Sequence, residues 1–178
     1  VAVALHPTLT YVAVSHENVV YIVAESLHKA IFGEDAQVIQ SFLGSELQGV
    51  RYTAPYTEAY EAEGNQKAVW FAVTDTYVSD SDGTGIVHTA PAFGEDDMRL
   101  AKTYDLPVLV GVTSEGNHRF GPWKGVFFRD ANTEIRRDLK AKGVLWKDHN
   151  FNHSYPHCWR CGTPLMYFAT EKLNLILF

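Results

Sequence analysis

The 178 residues include only two cysteines, Cys158 and Cys161, only two methionines, and no long apolar run. Two cysteines three positions apart make no secreted disulfide framework, so the chain has to be held together by its own core. At this length a folded chain buries roughly 70% of the surface its unfolded form exposes, which is enough without cross-links. No apolar stretch approaches the roughly 18 residues of a membrane span, and no leader or lipidation motif is visible. These absences predict a soluble globular domain with no membrane partner. The first methionine is Met98 and the chain opens on Val1-Ala2-Val3, which predicts a single domain, residues 1–178, cut from a longer protein.

Basic residues are scarce in the first half. Residues 1–98 carry 3 basic and 14 acidic side chains, whereas residues 99–147 carry 10 basic and 5 acidic, a local excess of +5 on a chain of net charge −6. Local potential rather than total charge steers a polyanion, so Arg119, Lys124, Arg129, Arg136, Arg137, Lys140, Lys142 and Lys147 are candidates for a phosphate-facing surface. The same charges also fit a solvated helix face.

What is abundant is short runs of β-branched and aromatic residues, at Tyr11–Ser15, Val19–Val23, Gln37–Phe42, Ala68–Val73, Gly85–Thr89, Val108–Val112 and Val126–Phe128. Polar turns separate them, and His16-Glu17-Asn18 predicts a hairpin between the first two. Helices are expected at Ala24–Phe32, Asp96–Tyr104 and Asn132–Lys142, stopped by Gly33, Pro107 and Gly143. Many strands with few, scattered helices predict a mainly β fold with peripheral helices, an α+β barrel or sandwich rather than a βαβ sheet.

The densest chemistry lies in GTGIVHTAPAFGEDD, Gly83 to Asp97. Gly83, Thr84 and Gly85 make a turn that lets backbone approach closely. His88 sits on the following strand, and Ala90, Pro91, Ala92 and Phe93 leave room for a ligand. Asp97 falls in the first turn of a helix, where the dipole favours an ionised carboxylate able to hold an ammonium group. The same residues also read as a plain hairpin turn, a hydrogen-bonded core histidine and a helix cap. The G-x-G lacks the third glycine and the βαβ setting of a dinucleotide fingerprint.

GTGIVHTAPAFGEDD resembles the editing-domain signature of isoleucyl-tRNA synthetases, and SYPHCWRCGTPLMYFATE, Ser154 to Glu171, resembles the exit segment of that same inserted domain. Ala4-Leu5-His6-Pro7, Tyr52-Thr53-Ala54-Pro55-Tyr56 and Trp123-Lys124-Gly125 leading to Arg129-Asp130-Ala131-Asn132 also resemble this family, so the likeness covers nearly the whole chain. The resemblance implies the β-barrel editing fold of the isoleucyl, valyl and leucyl enzymes. It implies hydrolysis of valine wrongly esterified to isoleucine tRNA, with valyl-adenylate as a further candidate substrate. One methylene distinguishes the two amino acids in a binding pocket by only roughly 1 to 3 kcal/mol, a limit for which isoleucine against valine is the standing example.

On the family's pattern Asp97 binds the α-ammonium and His88 forms the wall that measures the side chain. Gly83, Thr84, Gly85, Ala90, Pro91, Ala92, Phe93 and Tyr155 line the substrate, while Arg136, Arg137 and Lys140 are candidates for tRNA contact. No cofactor is implied for editing. The partners implied are the mischarged tRNA, through its 3′ aminoacyl-adenosine end, and the remainder of the parent synthetase. Cys158-x-x-Cys161 has the spacing of half a zinc knuckle, which needs two more ligands, supplied in the family from outside this segment. A threonine-rich strand resembling TTTPWTLP precedes the matching segment in the family, so the resemblance implies that this chain binds more readily than it hydrolyses. The alternatives are a catalytically weak substrate- or tRNA-binding module, valyl-type editing of threonyl-tRNA, and a small zinc-dependent interaction module.

Overall fold

The computed structural model describes residues 1–148, 157–162, 165, 166 and 169. The chain divides into two compact units. The first comprises Val1–Thr53, Lys67–Pro91 and Glu95–Pro107, and the second Ala54–Gln66, Ala92–Gly94 and Val108–Phe178.

The first unit holds two three-stranded sheets and, among its helices, the short α1 (His28–Phe32). In one, β2 (Thr10–His16) lies between β3 (Val19–Ala24) and β4 (Gln37–Leu43), antiparallel to both. Glu17 and Asn18, at φ 48° and 64°, make the β2–β3 turn. Left-handed backbone at both central positions follows the right-handed twist of the strands, which is why this two-residue hairpin closes where the polar triplet predicts it. In the other sheet β1 (Ala2–Leu5) is central, parallel to β5 (Ala72–Thr74) and antiparallel to β6 (Ile86–Thr89).

Period-two alternation sorts the two faces of β1. Ala2 and Ala4 pack with Val73, Val78, Leu100, Ala101 and Leu106, whereas Leu5 joins Tyr11, Ala24, Leu47 and Ala72. The two alanines are small enough to let α3 (Glu95–Tyr104) sit down on the sheet through Leu100 and Ala101. Leu100 is fully buried. Leu100→Ala is expected to cost about 2 to 5 kcal/mol, by lost burial plus the cavity left behind. Denaturant unfolding checks this, with the midpoint falling at unchanged slope.

Tyr11 ties the two sheets together. Its hydroxyl donates to the Gly85 carbonyl at 2.8 Å and accepts the His6 N–H at 2.9 Å. The Ala24 N–H meets the Thr84 carbonyl at 2.8 Å. Tyr11→Phe would strand two partly buried backbone groups and is expected to cost about 1 to 3 kcal/mol, read from the shift of the melting curve.

In the second unit α2 (Glu58–Ala62) and α4 (Phe128–Ala141) accompany irregular chain. Tyr56 organises it. Its hydroxyl bonds to Asp138 at 2.8 Å, Trp123 meets its ring edge-on at 5.3 Å, and the Lys142 ammonium lies 4.1 Å from its ring centre. Burial and the Asp138 bond push its phenol up to about 12.

The mixed architecture is the one the sequence implies, a β core with peripheral helices, although the strand ladders close no barrel among the described residues. Two expected strands are absent. Val108–Val112 and Val126–Phe128 contribute only the single bridges Val112↔His118 and Asn117↔Phe127. The helix expected from Asn132 starts four residues earlier, at Phe128, whose N–H is satisfied by the Gly116 carbonyl at 2.9 Å. No described helix is long and apolar enough to cross a membrane.

Candidate functional site

Strand β6 and the N-terminal turn of α3 carry the residues singled out from the sequence, and both belong to the first unit. β6 pairs along its length with β1, setting His88 opposite Val3 and Thr89 opposite Ala2. The amino group of Val1 extends this ladder by donating to the Thr89 carbonyl at 2.9 Å. Pro91 is buried and ends the strand, and four residues later α3 begins with Glu95, Asp96 and Asp97.

These three acids differ in their partners. Asp96 pairs with Arg99 at 3.0 Å, and Arg99 also bonds to Asp75. Asp97 is half-buried and makes no hydrogen bond or ion pair among the described residues. A carboxylate in the first turn is stabilised by the helix dipole, so Asp97 presents an uncommitted negative charge. Its field reaches His88, the Val1 amino group and the Tyr77 phenol. The structure therefore brings His88 and Asp97 into one electrostatic neighbourhood.

Their environment is only partly wet. His88 lies on the exposed side of β6, yet desolvation of its ring, followed by the charge on Val1, holds its imidazole below the ordinary value against the opposing pull of Asp97. The Val1 amino group is lowered to about 6, chiefly by burial. Near neutral pH the imidazole is therefore uncharged, an acceptor or an apolar wall rather than a cation.

Two hydroxyls escaped the sequence reading. Tyr77 Oη and Thr89 Oγ1 are both buried without a hydrogen bond of good geometry. They lie near enough for Thr89 to temper the Tyr77 phenol, which burial and then Asp97 push up to about 12. The Arg99 guanidinium covers the Tyr77 ring at 5.9 Å. Threonine and tyrosine are ordinary strand-favouring residues, so nothing in their sequence setting marks them as polar groups in need of a partner.

The remaining candidates are less concentrated. Gly83 and Gly85 have φ of 64° and 71°, and a Cβ on Gly85 would stand 2.5 Å from that of Ala24. Close packing on β3 thus requires glycine there, and the Thr84 hydroxyl turns onto the Ile86 carbonyl at 3.4 Å. Ala90 lies in the first unit, whereas Ala92 and Phe93 group with the second, where the Ala92 carbonyl accepts the Ala169 N–H at 2.8 Å.

On α4, Arg136 is paired with Asp148 at 3.1 Å and Arg137 with Glu134, while Lys140 is exposed and makes no ion pair among the described residues. Tyr155 and most of the segment 154–171 lie outside the described residues. Cys158 and Cys161, neither of them in a disulfide, lie on a turn closed by the Gly162 N–H to the Cys158 carbonyl at 2.9 Å. They supply two soft donors, and no third His, Cys, Asp or Glu joins them among the described residues. A zinc ion there would need ligands from elsewhere.

No family model matches the chain. Individual relatives do. An isoleucine–tRNA ligase of Thermus thermophilus is 47% identical over 172 residues, which is 97% of this chain and 16% of that protein. The isoleucine–tRNA ligases of Clostridium novyi and Thermococcus kodakarensis are 41% and 40% identical over 97% and 96% of the chain. The chain is homologous to one segment of the isoleucine–tRNA ligases. It spans about a sixth of the length of these curated relatives, at 16 to 17%. The fold of this chain is shared with a solved structure described as the crystal structure of GlLeuRS-CP1, at a TM-score of 0.57 and 18% identity, covering 84% of this chain and 78% of that one.

Proposed function

We propose that this ligase segment is a hydrolytic editing domain that releases valine wrongly esterified to isoleucine tRNA, with valyl-adenylate as a second substrate. Homology to isoleucine–tRNA ligases and the CP1-like fold support editing as the general role. The observation that carries the finer reading is the pairing of an uncommitted, half-buried Asp97 with a neutral His88 in one neighbourhood.

In this reading the Asp97 carboxylate holds the α-ammonium of the valyl group, a charge-assisted contact worth about 1.5 to 3 kcal/mol. Water attacks the ester carbonyl, the bond to the ribose oxygen breaks, and that oxygen takes up the proton as the tRNA leaves with a free hydroxyl. In this reading water, rather than a side chain, is the nucleophile. Oriented binding places the ester for water, and His88 meets the amino-acid side chain, leaving room for valine and colliding with the extra methylene of isoleucine. A site that excludes by overlap filters more steeply than one that merely binds less well. Hydrolysis of this kind needs no cofactor.

The partners in this reading are the 3′ aminoacyl end of tRNA and the remainder of a cytoplasmic synthetase. Lys140 is the α4 cation best placed for phosphate, because carboxylates already hold Arg136 and Arg137. The deciding experiment measures release of valine from valyl-tRNA specific for isoleucine by the 178-residue chain, with isoleucyl-tRNA as control. Selective release supports the reading. Equal release of both amino acids, or release of threonine from threonyl-tRNA in preference to valine, overturns it.

A further inference from the structure

The second unit contains a cavity of about 480 Å³ lined by Thr113, Asn117, His118, Arg119, Phe120, Lys124 and Gly125. Its walls are preformed. The His118 N–H bonds to the Val126 carbonyl at 2.9 Å, and the Gly125 N–H bonds back to the His118 carbonyl at 2.8 Å. The Arg119 N–H meets the Gly111 carbonyl at 2.9 Å, and the Thr113 N–H meets the Asn117 carbonyl at 2.8 Å. Chain segments that form no regular sheet are thus locked around a hollow.

The chemistry of the lining is specific. The His118 Nε2 is buried and has no hydrogen-bond partner, so a polar atom has lost water and gained nothing in return. Desolvation holds that imidazole below its ordinary value, so at neutral pH it is an uncharged group that can donate or accept according to tautomer. Phe120 offers a ring face on which the Arg119 guanidinium already lies, at 4.8 Å. Arg119 is shared with Glu63 at 3.5 Å, but Lys124 is exposed and makes no ion pair among the described residues.

A flat ring surface, an unsatisfied neutral hydrogen-bonding atom and a free ammonium match three parts of one ligand class, namely the face, the edge and the phosphate of a nucleotide. We propose that this cavity binds a single unpaired nucleotide, its base stacked on Phe120 and hydrogen-bonded by His118, its phosphate held by Lys124. An acidic peptide would satisfy Lys124 but would leave the ring face and the His118 nitrogen unused. The ligand is either a nucleotide of an RNA strand or a free mononucleotide, and the two have the same chemistry at this site. The inference does not depend on the editing reading, since His88 and Asp97 belong to the first unit.

The test follows the His118 ring and Lys124 by NMR in the whole 178-residue chain, titrated with AMP, with an unstructured oligoribonucleotide and with inorganic phosphate. Saturable shifts of His118 with AMP or the oligonucleotide are expected, but not with phosphate. The tighter of the two identifies the source. Phe120→Ala is expected to weaken binding about fivefold to a hundredfold, as for loss of one stacked base. Lys124→Ala, at an exposed position that leaves folding unaffected, is expected to lower the salt dependence of oligonucleotide affinity by about one unit of slope. Asp97→Ala should leave these shifts unchanged, so failure of ester hydrolysis and failure of this site are read separately. Phosphate reproducing the shifts, no shift with either nucleotide probe, or affinity indifferent to both variants overturns the proposal.

Discussion

Asp97→Asn is expected to lower kcat/KM for release of valine from valyl-tRNA by about tenfold to a hundredfold, with little change in the melting temperature. The size follows from the contact removed. A charge-assisted hydrogen bond to a ligand ammonium contributes about 1.5 to 3 kcal/mol, and about 1.4 kcal/mol is a factor of ten. The small effect on folding follows from the site. Asp97 makes no bond to the protein among the described residues, so the isosteric amide breaks none and loses only the favourable helix-dipole term, about 0.3 to 1 kcal/mol. Asp96→Asn is the matched control, because it removes a carboxylate from the same turn that is already committed to Arg99. Rates measured on valyl-tRNA with both variants decide the matter. If Asp97→Asn keeps wild-type turnover, or if Asp96→Asn loses as much, the ammonium is not held by Asp97.

Much of this geometry is legible in the chain because it is local. The β2–β3 hairpin is written in a two-residue turn flanked by alternating valines, and the span from Gly83 to Asp97 carries its own turn, strand end and helix start. What escapes is non-local. Ala2–Leu5 is half alanine, a residue with little preference for strands, and it becomes the central strand only because Ala72–Thr74 and Ile86–Thr89 arrive on either side of it. Conversely, Val108–Val112 and Val126–Phe128 have strand-like composition but find no continuous partner, since Gly116 and Phe127 pack against each other and the chain turns into α4 at once. The role of Gly85 shows the same limit. Its sequence setting suggests a close approach of backbone without saying to what, while its packing shows the neighbour to be Ala24. Charge is similarly misread in one dimension. The cations of residues 99–147 form a run in the sequence, but Arg99, Arg136 and Arg137 are each held by a carboxylate, which leaves Lys102, Lys124 and Lys140 as the more available cations among the described residues.

His88→Ala is expected to narrow discrimination between valyl- and isoleucyl-tRNA by about tenfold to a hundredfold, because the variant opens space where the ring stood. One methylene accommodated or refused is worth roughly 1 to 3 kcal/mol, and the wild-type site spends that difference on refusal. The rate on valyl-tRNA should fall much less than with Asp97→Asn, since the ammonium contact survives. The pH profile supplies a second readout. Desolvation and the neighbouring positive charge hold the His88 imidazole below its ordinary value, so it stays neutral as the pH falls through about 6.5 and gains its proton only below that. Once protonated it places a positive charge beside the substrate ammonium and competes for Asp97, so hydrolysis should decline on the acid side, at lower pH than a free imidazole would dictate. In His88→Ala that acid limb should disappear along with the selectivity. A variant that still spares isoleucyl-tRNA would show that another group forms the wall, and an unchanged acid limb would assign the titration to a residue other than His88.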